Sequence, residues 1–207
     1  MAASGGDPVR IAKAFSNPQF ADGNDRVFMV ESADGKRRLI STDLNGEAKR
    51  VHAEGELVNA YEVSPDGQYF AFRQNYEAFV VPMLPGTQAV SVSPGGGPLP
   101  VTRVSGAGAD YIQWSNNGDE IHWALGPTLF TAQRSALFAN APAVQGSKPE
   151  KFEPPKTGVS LSMAVDMDRP TSSVALVGAR IVSMADAKGG LIDDGVILIE
   201  RDRIKAI

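Results

Sequence analysis

The stretch Ser64-Pro65-Asp66-Gly67-Gln68-Tyr69-Phe70-Ala71-Phe72 consists of a tight turn followed by a short run in which aromatic residues alternate with others. Pro, Asp and Gly each favour turns, and an apolar period of two predicts a half-buried β-strand. The run Val58–Val63 before the turn has the same period. The whole unit therefore predicts a β-hairpin with one apolar face.

The hairpin unit recurs fifty-one residues later, around Ser115-Asn116-Asn117-Gly118. At that offset four large apolar pairs superpose, namely Tyr61 with Ile112, Val63 with Trp114, Phe70 with Ile121, and Phe72 with Trp123. A fainter copy begins at Phe20-Ala21-Asp22-Gly23. A repeat of about 44 to 51 residues with four short strands has the size of one propeller blade. An irregular β-sandwich is the alternative architecture.

Two further turns, Asp34-Gly35 and Asn45-Gly46, separate strand-like runs in residues 26–51. Asp-Gly and Asn-Gly favour type I′ turns, because both central residues of such a turn need a positive φ angle. The spacing of these turns predicts three consecutive antiparallel strands.

The fold class expected is all-β, with two to three four-stranded blades of a partial β-propeller followed by a second β segment. The strand pattern alone predicts that this segment is a closing β-meander, whereas the family resemblance described below implies a short C-terminal β-sandwich segment. The expected segments are an N-terminal tail at 1–14, a partial propeller at 15–136 with blades at about 15–55, 56–105 and 106–136, a Pro-rich linker at 137–173, and a second β segment at 174–207. Within the linker, a short run at residues 159–165 could pair with an open blade edge.

Composition excludes several classes of function. The chain has 20 Lys and Arg against 24 Asp and Glu, a formal charge of −4, so no basic excess predicts a nucleic-acid partner. It has no Cys and two His, which leaves no thiolate metal site and no histidine-rich site. The apolar runs fall short of the roughly 18 to 20 residues that span a bilayer, so we expect no membrane span.

The candidate site residues each have a structural explanation that we prefer. We expect His122 on a polar blade face, because it alternates with Ile121 and Trp123, and we expect His52 to be solvated at the end of a strand. Asp193-Asp194 precede a glycine, which favours turn formation over acid/base catalysis. Lys36-Arg37-Arg38 is interpreted as a solvated edge that discourages strand addition.

Two glycine-rich segments, Gly95-Gly96-Gly97 and Gly106-Ala107-Gly108, lack a helical pattern after them. Neither can therefore present a helix N-terminus to a phosphate, and both are interpreted as blade connections. No Gly-x-Ser-x-Gly nucleophile elbow is found in the sequence.

The segment Ser64-Pro65-Asp66-Gly67 with its following strand resembles the TolB-like, WD40-like β-propeller repeat. The copy at Ser115 departs from the pattern, with Asn116 and Asn117 in place of Pro-Asp, and the copy at Asp22 keeps only Asp-Gly. The resemblance covers about residues 15–135 and implies the last two or three blades of a ring.

Residues 174–207 resemble the opening of the amidohydrolase superfamily, through the order Gly178-Ala179-Arg180-Ile181-Val182, then Asp193-Asp194-Gly195-Val196-Ile197-Leu198-Ile199-Glu200, then Arg201-Asp202-Arg203-Ile204-Lys205-Ala206-Ile207. In that family such strands begin a composite β-sandwich that flanks a metal-dependent barrel. The resemblance implies a divalent, zinc-like metal in a parent protein, held first by a His-x-His pair about 20 residues beyond Ile207. It places no catalytic, cofactor-binding or metal-binding residue in this chain, and Lys205 is not the bridging lysine of the family.

Two functions follow as hypotheses. The first is a fragment of a propeller-linked, metal-dependent hydrolase that acts on amide or related C–N bonds of a small molecule or peptide. On its own the fragment lacks the barrel and is expected to be inactive, and the parent protein is expected by resemblance to be exported or periplasmic. The alternative is a non-catalytic propeller module that binds a protein or peptide through loops such as residues 84–98. In either case the open first and last blades would favour self-association.

Overall fold

The computed structural model describes residues 5–8, 10–13, 15–21, 23, 25–84, 86, 89–138, 152–168, 170–185 and 189–207. These residues form an all-β protein, which confirms the predicted fold class. The elements in chain order are β1 Ser16–Phe20, β2 Arg26–Ala33, β3 Lys36–Asp43, β4 Arg50–Gly55, β5 Val58–Val63, β6 Tyr69–Gln74, β7 Glu77–Pro82, β8 Val90–Ser91, β9 Thr102–Arg103, β10 Asp110–Trp114, β11 Glu120–Leu125, β12 Thr128–Gln133, α1 Arg134–Leu137, β13 Val159–Ser160, β14 Ser173–Val182, β15 Leu191–Glu200 and β16 Arg203–Ala206.

The strands form four separate sheets in two compact units, Met1–Ser162 and Met163–Ile207. The first unit holds three sheets, which we call the first blade (order β1-β2-β3-β4-β8), the second blade (β5-β6-β7-β9) and the third blade (β10-β11-β12-β13). The second unit holds the sheet β14-β15-β16. Neighbouring strands within these sheets are antiparallel, except for the pair of β4 and β8.

The turns of the first blade agree with the prediction at one position and differ at another. Asp34 and Gly35 have φ angles of 53° and 74°, as a type I′ turn requires. At the second turn only Gly46 has a positive φ, of 82°, and its N–H donates to the Asp43 carbonyl at 3.1 Å. The Asp43 carboxylate also accepts hydrogen bonds from the backbone N–H groups of Asn45 and Glu47, which stabilises a wider turn than the predicted type I′.

The fifth strand of the first blade comes from a segment that the sequence indicates to be a loop. Strand β8 lies in the 84–98 connection and pairs in parallel with β4, with Ala53 opposite Val90. The next residue after this strand, Val92, is buried against the core. Part of the predicted connection therefore belongs to the blade.

The two copies of the repeat fold through the same hydrogen bonds. The N–H of Tyr69 donates to the Ser64 hydroxyl at 2.9 Å, and the N–H of Glu120 donates to the Ser115 hydroxyl at 3.0 Å. Asn117 takes the place of Asp66, since its side-chain oxygen accepts a hydrogen bond from the Ser115 hydroxyl. The departure from Ser-Pro-Asp-Gly in the second copy thus leaves the turn unchanged. In the fainter copy, Asp22 lies outside the described residues.

The blades pack face to face through two apolar clusters. Between the first and second blades the buried side chains include Leu39, Tyr61, Phe72 and Phe79. Between the second and third blades they include Val80, Ile121 and Trp123. Because alternate residues of the second blade face opposite sides, this blade contributes to both clusters.

The outer face of the first blade is covered in part by residues that the sequence assigns to a tail. Ile11 and Ala12 pack against Val27, Met29 and Ile40, and these three side chains are buried. We expected this face to be exposed for want of a neighbouring blade. The N-terminal segment instead replaces part of that missing neighbour.

The fourth strand of the third blade comes from the predicted Pro-rich linker. Strand β13 pairs antiparallel with β12, with Val159 opposite Leu129, so the pairing suggested for residues 159–165 occurs over its first two residues. Linker residues 139–151 and 169 lie outside the described residues. The short helix α1 after β12 has no counterpart in the sequence-based prediction.

The sheet of the second unit has almost no core of its own. Among its described residues Ile181, at 8% exposure, is the one buried hydrophobic side chain. Val174, Leu176 and Ile204 are exposed on one face, and Val196 and Leu198 are exposed on the other. The sheet therefore presents apolar side chains in both directions.

Candidate functional site

The first strands of the three blades, β1, β5 and β10, lie side by side and are joined by side chains that bind main-chain atoms. The Gln19 amide donates to the Tyr61 carbonyl at 2.7 Å and accepts from the Val63 N–H at 2.7 Å. Asn17 donates to the same Tyr61 carbonyl at 2.9 Å. In the other direction, the Trp114 indole N–H donates to the Glu62 carbonyl at 3.1 Å. Strand β5 is therefore held from both sides.

Glu62 is an acidic residue near the end of β5 and is half-buried. One oxygen of its carboxylate accepts a hydrogen bond from the Asn17 amide at 2.8 Å. Burial raises the pKa of Glu62 to about 7, and the hydrogen bond from Asn17 opposes this rise only in part. No Lys or Arg side chain of the described residues forms an ion pair with Glu62.

Glu62 occupies a repeated position. Gln19 pairs with Phe28, Glu62 with Ala71, and Gln113 with His122, each one residue before the last residue of its strand. We call these three residues the axial row. Two of its members are glutamines, so the carboxylate of Glu62 is the exception.

Sequence reasoning did not single out Glu62. The sequence does contain a signal for Glu62, because the fifty-one-residue offset that aligns the aromatic residues also aligns Glu62 with Gln113. An acid inside an alternating apolar strand, where its repeat carries a neutral amide, is unusual enough to be noted.

His52 is not solvated, contrary to the prediction. It lies inside β4, where its ring is 5.1 Å from the ring of Phe28 and its Nε2 is 2.7 Å from the Ser41 hydroxyl. Burial, together with the nearby charges of Arg26 and Arg50, lowers the pKa of His52 to about 4. The register shift between β3 and β4 turns this residue toward the second blade, which a count from the strand end does not reveal.

The Ser41–His52 pair does not form a nucleophilic site. Ser41 is 0% exposed, so no substrate can reach its hydroxyl. That hydroxyl accepts a hydrogen bond from Arg26 Nε at 2.9 Å, which leaves its proton for the imidazole. His52 Nδ1 is buried with no partner among the described residues, so the third member of a catalytic triad is missing there. The pair is a structural hydrogen bond.

His122 lies on the face of the third blade opposite Ile121 and Trp123, as its alternation predicts. Its Nδ1 is 2.9 Å from the Thr131 hydroxyl, and its Nε2 is 3.6 Å from the Glu120 carboxylate. The two histidines thus belong to different blades. Among the described residues no three His, Cys, Asp or Glu side chains form a group that could hold a metal ion.

Lys36 and Arg38 do not mark an edge. Strand β3 lies between β2 and β4, and both side chains form ion pairs with Glu54 on β4, at 2.7 and 3.2 Å. Lys36 and Arg38 therefore stabilise an interior strand pair, and the predicted role of the triplet in discouraging strand addition is wrong.

Asp193 and Asp194 do not form a turn between strands. Both lie inside β15, where Asp194 has a φ of 55° and the register with β14 shifts. Asp193 forms an exposed ion pair with Arg180 at 3.0 Å. The Asp-Gly pair produces a β-bulge here, because a bulge uses the same positive φ as a turn.

Lys205 forms an ion pair with Glu200 at 2.5 Å.

A cleft lies along the third blade. It has a volume of about 450 Å³, and its lining residues are Arg103, Gly106, Ala107, Gly108, Trp123, Leu125, Phe130, Pro154, Pro155 and Lys156. The predicted connection at residues 106–108 thus borders a concave surface. The other glycine segment forms an ordered turn, in which the N–H of Gly96 donates to the Ser93 carbonyl at 3.1 Å.

No described helix is long and apolar enough to cross a membrane. No protein-family model matches the chain, and no curated protein is significantly similar to it.

Proposed function

We propose that this chain is part of a propeller-linked, metal-dependent hydrolase that acts on amide or related C–N bonds. In this proposal residues 15–136 form blades of a TolB-like propeller, residues 137–173 form a linker that contributes β13 to the third blade, and residues 174–207 begin an amidohydrolase-type β-sandwich. The substrate is a small molecule or peptide, and the expected setting of the parent protein is exported or periplasmic. Both of these statements rest on the sequence resemblance.

The observation that supports the proposal is the sheet β14-β15-β16. Its apolar side chains are exposed on both faces, and three strands with so little buried surface do not form an independent domain. A composite sandwich and a barrel would supply the missing cover.

The divalent metal of such a hydrolase would polarise the substrate carbonyl and lower the pKa of a bound water. The described residues do not fit that role, because they contain no group of three metal-ligating side chains. We therefore assign no catalytic step to any residue of this chain.

Reading the gene beyond the codon for Ile207 tests the proposal directly. A His-x-His pair within about 40 residues, followed by a barrel of about 250 residues, is the expected result. A stop codon or further Ser-Pro-Asp-Gly repeats would contradict it. A second test is an amidase assay with added zinc on the 207-residue chain, which should show no turnover.

A non-catalytic peptide-binding module is the second candidate, and the cleft along the third blade favours it. Phe130 supplies aromatic surface there and Lys156 supplies positive charge, while the charge of Arg103 is paired with Glu77 at 2.6 Å. Saturable binding of peptides by a protein whose gene shows no downstream barrel would favour this function.

A further inference from the structure

We propose that the axial row contains a binding site for a primary ammonium group, with the Glu62 carboxylate as its counter-ion and the Asn17 amide as its neighbour. This inference does not rest on the proposed hydrolase function. It rests on the geometry of β1, β5 and β10 and on the comparison among the three blades.

The described residues leave part of the hydrogen-bond acceptor capacity of Glu62 unused. Its Oε1 accepts one hydrogen bond, from Asn17 at 2.8 Å, and its Oε2 accepts none from the described residues. The side-chain oxygen of Asn17 likewise accepts none from them, because Asn17 uses only its NH₂ group. Two acceptor atoms thus lie on residues that already contact each other.

Partial burial of the ionised Glu62 carboxylate has a free-energy cost. A half-buried carboxylate without a cation nearby is disfavoured, because burial removes water without supplying an opposite charge. A ligand cation would supply that charge and would restore the ionised form.

The other members of the axial row show that the fold does not need a carboxylate at this position. Gln19 shows how a neutral amide serves this position, since it binds both the Tyr61 carbonyl and the Val63 N–H. Gln113 has the same residue type at the third position. A glutamine at position 62 would therefore suit the fold, and the acid has a cost that the fold does not require. Residues that lower stability in this way are often kept for binding.

An ammonium fits these atoms better than a metal ion does. It donates hydrogen bonds to a carboxylate and to an amide oxygen, whereas the described residues offer a single carboxylate here and no metal-ligand cluster.

The test uses three probes with the 207-residue chain at about pH 7.5, where most of the Glu62 carboxylate is ionised and most of a peptide N-terminal amine is still protonated. Triglycine amide carries a peptide N-terminal ammonium, Nα-acetyl-lysine methylamide carries a side-chain ammonium, and N-acetyl-triglycine amide carries neither. Binding is measured by calorimetry and by the NMR shift of the Trp114 indole N–H. Binding of either ammonium probe supports the site, and the preferred probe identifies the source of the ammonium.

The Glu62→Gln variant should bind the preferred ammonium probe at least about tenfold more weakly, whereas the control variant Glu56→Gln should bind within about twofold of the wild type. Glu56 is an exposed carboxylate in the turn before β5. Because glutamine suits this position, the Glu62→Gln protein should unfold at no lower temperature than the wild type. Equal binding of the acetylated probe, unchanged binding by Glu62→Gln, or no binding of either ammonium at about 10 mM would overturn the proposal.

Discussion

Replacing Glu62 by Gln should stabilise the protein, by an amount that depends on pH. The pKa of Glu62 is about 7 in the folded chain against 4.5 for an ordinary glutamate. Since the folded pKa is the higher one, the stabilising contribution of Glu62 is complete below about pH 4.5 and is lost as pH rises through about 7. Glutamine keeps the shape of the side chain and removes the charge.

The magnitude follows from the two pKa values. At about 1.36 kcal/mol for each pH unit, the full difference amounts to about 3 kcal/mol at pH 8. Because the side chain is partly exposed, solvent screening reduces this to about 2 kcal/mol. The free energy of unfolding of Glu62→Gln should thus equal that of the wild type at pH 4 and exceed it by about 2 kcal/mol at pH 8.

His52 contributes an opposite dependence. Its folded pKa of about 4 lies below the ordinary 6.5, so its contribution is complete above about pH 6.5 and is lost as pH falls through about 4. In the wild type the two residues offset each other between about pH 4.5 and 6.5. Removing the Glu62 charge should therefore expose a stability that rises with pH over that range.

Urea denaturation at pH 4.5, 6 and 8, at constant ionic strength, measures these differences. Glu56→Gln is the control and should follow the wild type at all three values. If the difference in unfolding free energy between Glu62→Gln and the wild type does not grow between pH 4.5 and 8, the carboxylate of Glu62 is already compensated and the reasoning is wrong.

Three further changes test other parts of the structure. Gly46→Ala should lower the free energy of unfolding by about 2 kcal/mol, because a Cβ there would lie 2.7 Å from the Ile11 carbonyl at a φ of 82°. Gly35 has a similar φ but open space around it, so Gly35→Ala should lower it less. Urea midpoints of the two variants measure the difference. Arg134→Met removes ion pairs to Asp66 and Asp119 and should cost about 1 kcal/mol in low salt, with a smaller difference in 1 M NaCl. Residues 163–207 expressed alone should show no cooperative thermal transition by circular dichroism, and a sharp transition would mean that this sheet has a core after all.

The repeated hairpins could be predicted from the sequence because their signals are local. Ser64 and Ser115 open turns whose hydrogen bonds close within a few residues, and the alternating aromatic residues identify the buried face. The same local rules predict the type I′ turn at Asp34 and Gly35. Where turn chemistry and apolar period coincide, the sequence is sufficient.

The remaining features depend on long-range pairing or on ambiguous local chemistry. Strand β8 has two residues and pairs with β4 across an intervening blade, so no periodicity marks it. Asp194 has the positive φ of a turn but lies in a bulge, and composition does not distinguish the two. The orientation of His52 depends on a register shift. Identifying Glu62 as unusual required a comparison of the blades position by position.

The clamp that Gln19 forms on β5 has a consequence for how the blades can diverge. It contacts the carbonyl of Tyr61 and the N–H of Val63, atoms that nearly every amino acid presents in the same place. Side chains on β5 can therefore change during evolution without loosening this junction, with proline at position 63 as the exception because it has no N–H. Because these hydrogen bonds are made to main-chain atoms and do not depend on the side chains of β5, the sequences of neighbouring repeats can diverge while the spacing between the blades is preserved.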